Sequence, residues 1–119
     1  MDALDVSDVA VAAVQREARR REVAVEAARV DLAASPELPR RPYDVVVNTH
    51  FLERSLFGAL SEALAPGGVL VFEAFTTERR GMNPAYQLEP GELFRAFGGL
   101  EVVDYEEGES ARLVARKPA

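Results

Sequence analysis

Asp5 follows a short apolar run in DALDVS. It looks placed to offer two carboxylate oxygens to the vicinal hydroxyls of a sugar; with Ser7 it would equally serve to begin a helix. Asp31, in RVDL, stands just beyond a second apolar run, where an ordinary solvated acid would also sit. Asn48, Thr49 and His50 close the run YDVVVNTH. His50 is the only histidine, and imidazole is the side chain that ordinarily titrates near neutral pH. It is therefore the candidate for a general base or a substrate contact, with capping or packing at a helix start as the plainer role. Glu73, Thr76, Arg79, Asn83 and Tyr86 lie on or after a fourth apolar run, VLVFEAF, and in the long polar stretch that follows it to Pro90. Loops longer than about 12 residues in compact domains are often functional, although Arg79 and Arg80 also suit a solvated surface.

Alternating strand and helix patterns position these residues. Asp2 to Val6 is short, Ser7 suits an N-cap, and Val6 and Val11 have the spacing of a hydrophobic staple. A helix is expected from about Asp8 to Arg21, burying Ala10, Val11, Val14 and Ala18. Val23 to Val30 reads as a strand, and Ala33 to Pro42, with three prolines, as a loop. Tyr43 to Thr49 is β-branched and apolar at its centre, as in a strand buried on both faces of a parallel sheet. Leu52, Leu56, Leu60 and Leu64, with Phe57, recur at helical spacing until Pro66-Gly67-Gly68 stops them. Val69 to Phe75 is a second buried strand. Pro90 fits the first position of a short helix carrying Leu93, Phe94 and Phe97 and closed by Gly98-Gly99. Leu88, Pro90 and Leu93 read as packing. The runs LEVVDYE and ARLVARK form a hairpin across Gly108-Glu109-Ser110. The expected fold is α/β, a mainly parallel sheet with a C-terminal antiparallel hairpin.

The 119 residues suit one domain of ordinary globular composition, 48% hydrophobic and 29% charged. A net charge of −6 argues against broad attraction to nucleic acid or to an anionic membrane, and favours a small-molecule or protein partner. Without cysteine there is neither a disulfide nor a thiolate metal site, and with one histidine no metal site is expected. No run approaches the ~18 apolar residues of a membrane span, so a cytoplasmic location is the default expectation.

The order ALDVS, RVDL, PYDVVVNTHFL, LAPGGVLVFEAF, NPAYQLEPGEL and a closing antiparallel pair resembles the class I S-adenosylmethionine-dependent methyltransferases, in particular small bacterial members. The resemblance covers nearly the whole chain. It implies methyl transfer from S-adenosyl-L-methionine to an acceptor that the sequence does not identify. It also implies that Asp5, with Val6 beside it, holds the ribose, that Asp31 accepts the adenine amine, and that Leu32 supplies a backbone N–H. Asn48 and Thr49 would lie near the methionine portion and the reactive methyl, because ligands collect at the carboxyl ends of such strands. Glu73, Thr76, Arg79, Asn83 and Tyr86 would border the acceptor pocket, with His50 as the catalytic candidate.

Members of that family carry a first strand, a glycine-rich loop and a helix before the ribose acid. Here the first glycine is Gly58. In the family's sheet order, 3-2-1-4-5-7-6, the strand without a counterpart is central. The expectation is therefore a sheet lacking its first βα unit, a start at Met1 that is not the natural one, weakened cofactor binding, and exposed strand edges that pair with each other, are filled by another chain such as a second copy, or leave the product unstable and sticky. Two other readings stay open: a non-catalytic Rossmann-like interaction or oligomerisation module, and a dinucleotide-dependent oxidoreductase, which would also need a glycine loop.

Overall fold

The computed structural model describes residues 2–5, 8–20, 26–29 and 42–119. The chain divides into two compact units, Met1–Glu37 and Leu38–Ala119. In the first, strand β1 (Asp2–Asp5) pairs in parallel with β2 (Glu26–Arg29), in register from Asp2 with Glu26 to Asp5 with Arg29. Helix α1 (Asp8–Arg20) joins them, ending one residue before the expected Arg21. Arg20 makes an ion pair with Glu17 on its exposed surface, 2.7 Å. The expected staple at Val6, the cap at Ser7 and the loop before Pro42 lie outside the described residues, as do the side chains of Ala10, Val11, Val14 and Ala18.

The second unit is built on a four-stranded sheet in the order β3-β4-β6-β5, with β3 (Tyr43–Thr49), β4 (Leu64–Phe75), β5 (Glu101–Glu107) and β6 (Ser110–Arg116). β3 and β4 run parallel; β4–β6 and β5–β6 are antiparallel, the last joined by the expected hairpin. Between β3 and β4 the chain makes a 3-10 turn (Arg54–Leu56) and helix α2 (Phe57–Glu62). Helix α3 (Glu92–Ala96) precedes β5.

Alternation along the strands divides the sheet into two unlike faces. Leu70, Phe72 and Ala74 of β4 and Ala111, Leu113 and Ala115 of β6 are buried, under Leu56, Leu60, Leu88, Leu93 and Phe97. Phe72, Phe57 and Phe97 meet with ring centroids 5.2–5.8 Å apart, within the range of favourable aromatic pairs. The opposite face is not covered in the same way: Val45 is 58% exposed and Val47 61%. The expectation that Tyr43–Thr49 is buried on both faces is thus corrected. The apolar run comes from β-branched residues that suit a pleated strand, and in this unit α2 and α3 pack on one face only.

The leucine periodicity also overreaches. The helix stops at Glu62, and Leu64 already pairs with Tyr43 in the sheet. Ala65 to Gly68 then loop out before Val69 resumes pairing opposite Val45. That excursion is tightly made. Gly67 adopts φ 80°, its N–H donates to the Lys117 carbonyl, and the Lys117 N–H donates to the Gly68 carbonyl, both at 2.9 Å. The Lys117 ammonium donates to the carbonyls of Ser61 and Leu64 at 3.3 and 3.0 Å, capping the end of α2 with the charge its dipole favours. Pro90 stands before the N-cap of α3 rather than inside it; the cap is Gly91, at φ 69°. Leu88 and Leu93 are core as expected, whereas Pro90 is exposed.

Two glycines separate backbone crowding from chain entropy. A Cβ on Gly68 would lie 2.8 Å from the carbonyl oxygens of Ala65 and Tyr43, whereas one on Gly58 in α2 meets nothing within 4 Å. Gly68→Ala is expected to destabilise by about 1–3 kcal/mol, because backbone must move. Gly58→Ala is expected to stabilise by roughly 0.5–1 kcal/mol. Urea denaturation of the two variants checks both signs.

Candidate functional site at the carboxyl ends of the strands

Within each unit the parallel strands bring their carboxyl ends to a common edge. In the first, Asp5 is the last residue of β1, opposite Arg29. That places its backbone where the sequence put it; its side chain, and Val6, Asp31 and Leu32, lie outside what is described. In the second, Asn48 and Thr49 end β3, opposite Phe72 and Glu73. Thr49 is exposed. The Asn48 Oδ1 atom is buried and accepts no hydrogen bond among the described residues, which is rare for a buried amide oxygen.

His50 prolongs the ladder by one bond, its N–H donating to the Glu73 carbonyl at 2.8 Å. It then turns into the left-handed region, φ 55°, a conformation histidine tolerates better than most residues but at some cost. The turn lays the imidazole on Phe75, ring centroids 4.8 Å apart and planes 27° from parallel. The Arg79 guanidinium sits over the same Phe75 ring, 4.0 Å from its centroid. Two of the expected site residues, His50 and Arg79, are therefore gathered by one that sequence reading passed over. Its signal was present: in VLVFEAF, burial of Phe72 and Ala74 puts Glu73 and Phe75 on the opposite, half-buried face.

The long polar stretch is fastened at its base. Thr76 and Leu88 form a parallel bridge. Buried Gln87 donates through Nε2 to the carbonyls of Thr76, 2.8 Å, and Arg79, 2.6 Å. Thr76 is 2% exposed, its hydroxyl donates to the Gly108 carbonyl, and its N–H donates to the Glu109 carbonyl at 2.8 Å. Its expected place beside an acceptor is corrected: the hydroxyl ties the loop to the hairpin. Asn83 likewise acts locally, accepting the Ala85 N–H at 3.0 Å to start a 3-10 turn at Pro84–Tyr86. Tyr86 is 64% exposed, and Glu73 is half-buried.

Arg54 supplies the strongest fastening. Its guanidinium grips Glu92 through two hydrogen bonds and also donates to the Gln87 carbonyl at 3.0 Å. Glu92 in turn accepts the Glu89 N–H at 3.0 Å. Arg54 was missed because its partner is distant in sequence and no local pattern announces the pair. Its hydrogen bonds hold the Glu92 carboxyl below the usual carboxylate range. At the N-cap of α3, Glu107 accepts the Gly91 N–H at 2.8 Å and the Tyr105 hydroxyl at 2.6 Å. Burial, then that hydrogen bond, push the Tyr105 phenol up to about 12. An open pocket of ≈ 360 Å³ is lined by Arg54, Thr77, Pro84, Gln87, Glu89 and Glu92. None of the expected site residues lines it.

No family model and no curated protein matches the sequence. Solved structures do. TehB from Haemophilus influenzae aligns with 98% of the chain at a TM-score of 0.84 and 18% identity, the chain spanning 49% of its length. The N-methyltransferase NodS from Bradyrhizobium japonicum aligns with 99% of the chain at 0.74 and 21% identity, the chain spanning 73% of it.

The chain has the class I methyltransferase fold.

The order β3-β4-β6-β5 is the 4-5-7-6 portion of that fold's sheet, and β1 and β2 are its strands 2 and 3. Its strand 1 has no counterpart among the described residues. A methyltransferase fold does not by itself settle the chemistry. The cyclase SpnF, described as a [4+2]-cyclase, aligns with 99% of the chain at 0.76 and 19% identity, the chain spanning 66% of it.

The Arg54–Glu92 pair sets a pH dependence. Because the carboxyl is held below its ordinary value of 4.5, its contribution is complete above that value and is lost as pH falls through the lowered one. Thermal melting from pH 6 to about pH 3 is expected to show an acid-side loss that Glu92→Gln flattens, while Arg54→Ala destabilises by about 1–2 kcal/mol at neutral pH.

Proposed function

We propose that this chain is the cofactor- and acceptor-binding part of an S-adenosylmethionine-dependent methyltransferase. The supporting observation is the fold, shared with NodS, which is known in complex with S-adenosyl-L-homocysteine; within the first unit Asp5 ends β1, and within the second Asn48, Thr49 and His50 stand at the carboxyl end of β3. S-adenosyl-L-methionine supplies an activated methyl group on a sulfonium. Asp5, with Val6, would hold the ribose through its two oxygens; Asp31 and Leu32 would take the adenine edge. Asn48 fits such a ligand by its chemistry: a buried amide oxygen without a donor suits the ammonium of an amino-acid moiety. Thr49 borders the reacting end, and His50 takes the acceptor's proton. Glu73, Arg79, Asn83 and Tyr86 remain the acceptor-side residues. The acceptor is a small molecule or a protein, and the location cytoplasmic; among the described residues no helix is long and apolar enough to cross a membrane.

A non-catalytic interaction module is the second reading, favoured by the exposure of Val45 and Val47 on a strand with one partner in its sheet. Calorimetric titration with S-adenosylhomocysteine separates the two. Binding is expected, with Asp5→Ala weakening it roughly ten- to a hundredfold through loss of charged hydrogen bonds. No heat at millimolar ligand, together with a dimer on size-exclusion chromatography, would favour the module instead.

A further inference from the structure

Arginines of this chain differ in how their charge is met. Arg20 is paired with Glu17, Arg54 with Glu92, and Arg112 with Asp104 and Glu106. Arg79 has no carboxylate within ion-pair distance among the described residues; its guanidinium rests on Phe75. A cation over a partly exposed ring gains less than one that also makes charge-assisted hydrogen bonds. The ring therefore orients the guanidinium without saturating it. Five N–H donors in a planar fork remain for a partner, and that fork matches a carboxylate or a phosphate.

The surroundings are fixed. The Arg79 N–H donates to the Thr76 carbonyl at 3.1 Å, and its own carbonyl accepts the buried Gln87 amide. Phe75 belongs to β4, and its carbonyl accepts the Leu88 N–H at 2.8 Å. His50 is locked by its bond to Glu73 and stacks on the same ring. The cation is thus carried at the carboxyl end of the strand next to β3, where Thr49 ends and His50 turns. In a chain of net charge −6, with Glu73 and Glu78 near it in sequence, an anion would find little general attraction, so capture must be local.

We propose that Arg79, oriented by Phe75 beside His50, anchors an oxyanion, a carboxylate or a phosphate, carried by the methyl acceptor. This rests on the methyl-transfer reading for the word acceptor, while the anion site itself does not. Arg79 fixes the acceptor's charged end, and His50 faces the group that loses a proton.

Because His50 is the only histidine, its Cε1 proton gives a single isolated NMR signal, from a ring already placed against Phe75. The intact chain is titrated with benzoate and with phenyl phosphate, with benzamide as the neutral match. At least one oxyanion is expected to move the signal saturably at concentrations where benzamide does not, and the tighter of the two names the source. Arg79→Gln should weaken that probe by about fivefold or more, and Arg79→Lys by less. Equal response to benzamide, or Arg79→Gln binding as the parent does, would overturn the proposal. S-adenosylhomocysteine binding with no oxyanion response overturns this inference alone. An oxyanion response without S-adenosylhomocysteine binding leaves the anion site and removes the methyl-transfer reading.

Discussion

The double pairing of β4 is the constraint on which the second unit depends. One strand accepts a parallel neighbour, β3, along one edge and an antiparallel neighbour, β6, along the other. Parallel pairing demands a crossover, and α2 supplies it; antiparallel pairing permits the tight hairpin that returns β6 beside β4. Because β4 serves both, its side-chain alternation dictates the whole layer. Leu70, Phe72 and Ala74 face the helices, and Glu73 and Phe75 are left for the other side. Shifting β4 by one residue would exchange core for surface along its entire length.

The same strand explains why the polar stretch after it is ordered. Leaving the sheet at Phe75, the chain meets three separate supports: the hairpin turn at Gly108-Glu109, the buried Gln87 amide, and the guanidinium of Arg54. Each satisfies backbone groups that burial would otherwise strand without partners. Lys117 acts in the same way at the opposite end of β4, where it meets the last turn of α2 and the Ala65–Gly68 excursion.

Much of this was legible in the residues, for physical reasons. The β-branched run at Tyr43–Thr49 and the glycine-interrupted hairpin are local signals, and a parallel pairing closed by an antiparallel pair follows from the alternation of strand and helix patterns, whereas the order of the strands within the sheet came from the family resemblance. What escaped the sequence was non-local. Arg54 and Glu92 meet only because the segments before β4 and β5 pack on one sheet, and the hydroxyl of Thr76, which the sequence set in a polar stretch, is taken by the hairpin. Leu64 kept helical spacing yet entered the sheet, since pairing with Tyr43 outweighed a periodicity that adjacent leucines create by themselves. The exposure of Val45 and Val47 was hidden because an apolar β-branched run does not record how many of its faces are covered.

The bridge between Thr76 and Leu88 has a consequence for how such a chain can diversify. It closes the ends of a segment whose middle, residues 77–86, contributes almost nothing to the core. With closure already secured, lengthening the middle costs only about 0.6 kcal/mol per doubling. Gene-level insertions, deletions or wholesale exchange of that cassette would be tolerated by the β-scaffold beneath, so molecules of this architecture can vary the segment while keeping the frame that carries it.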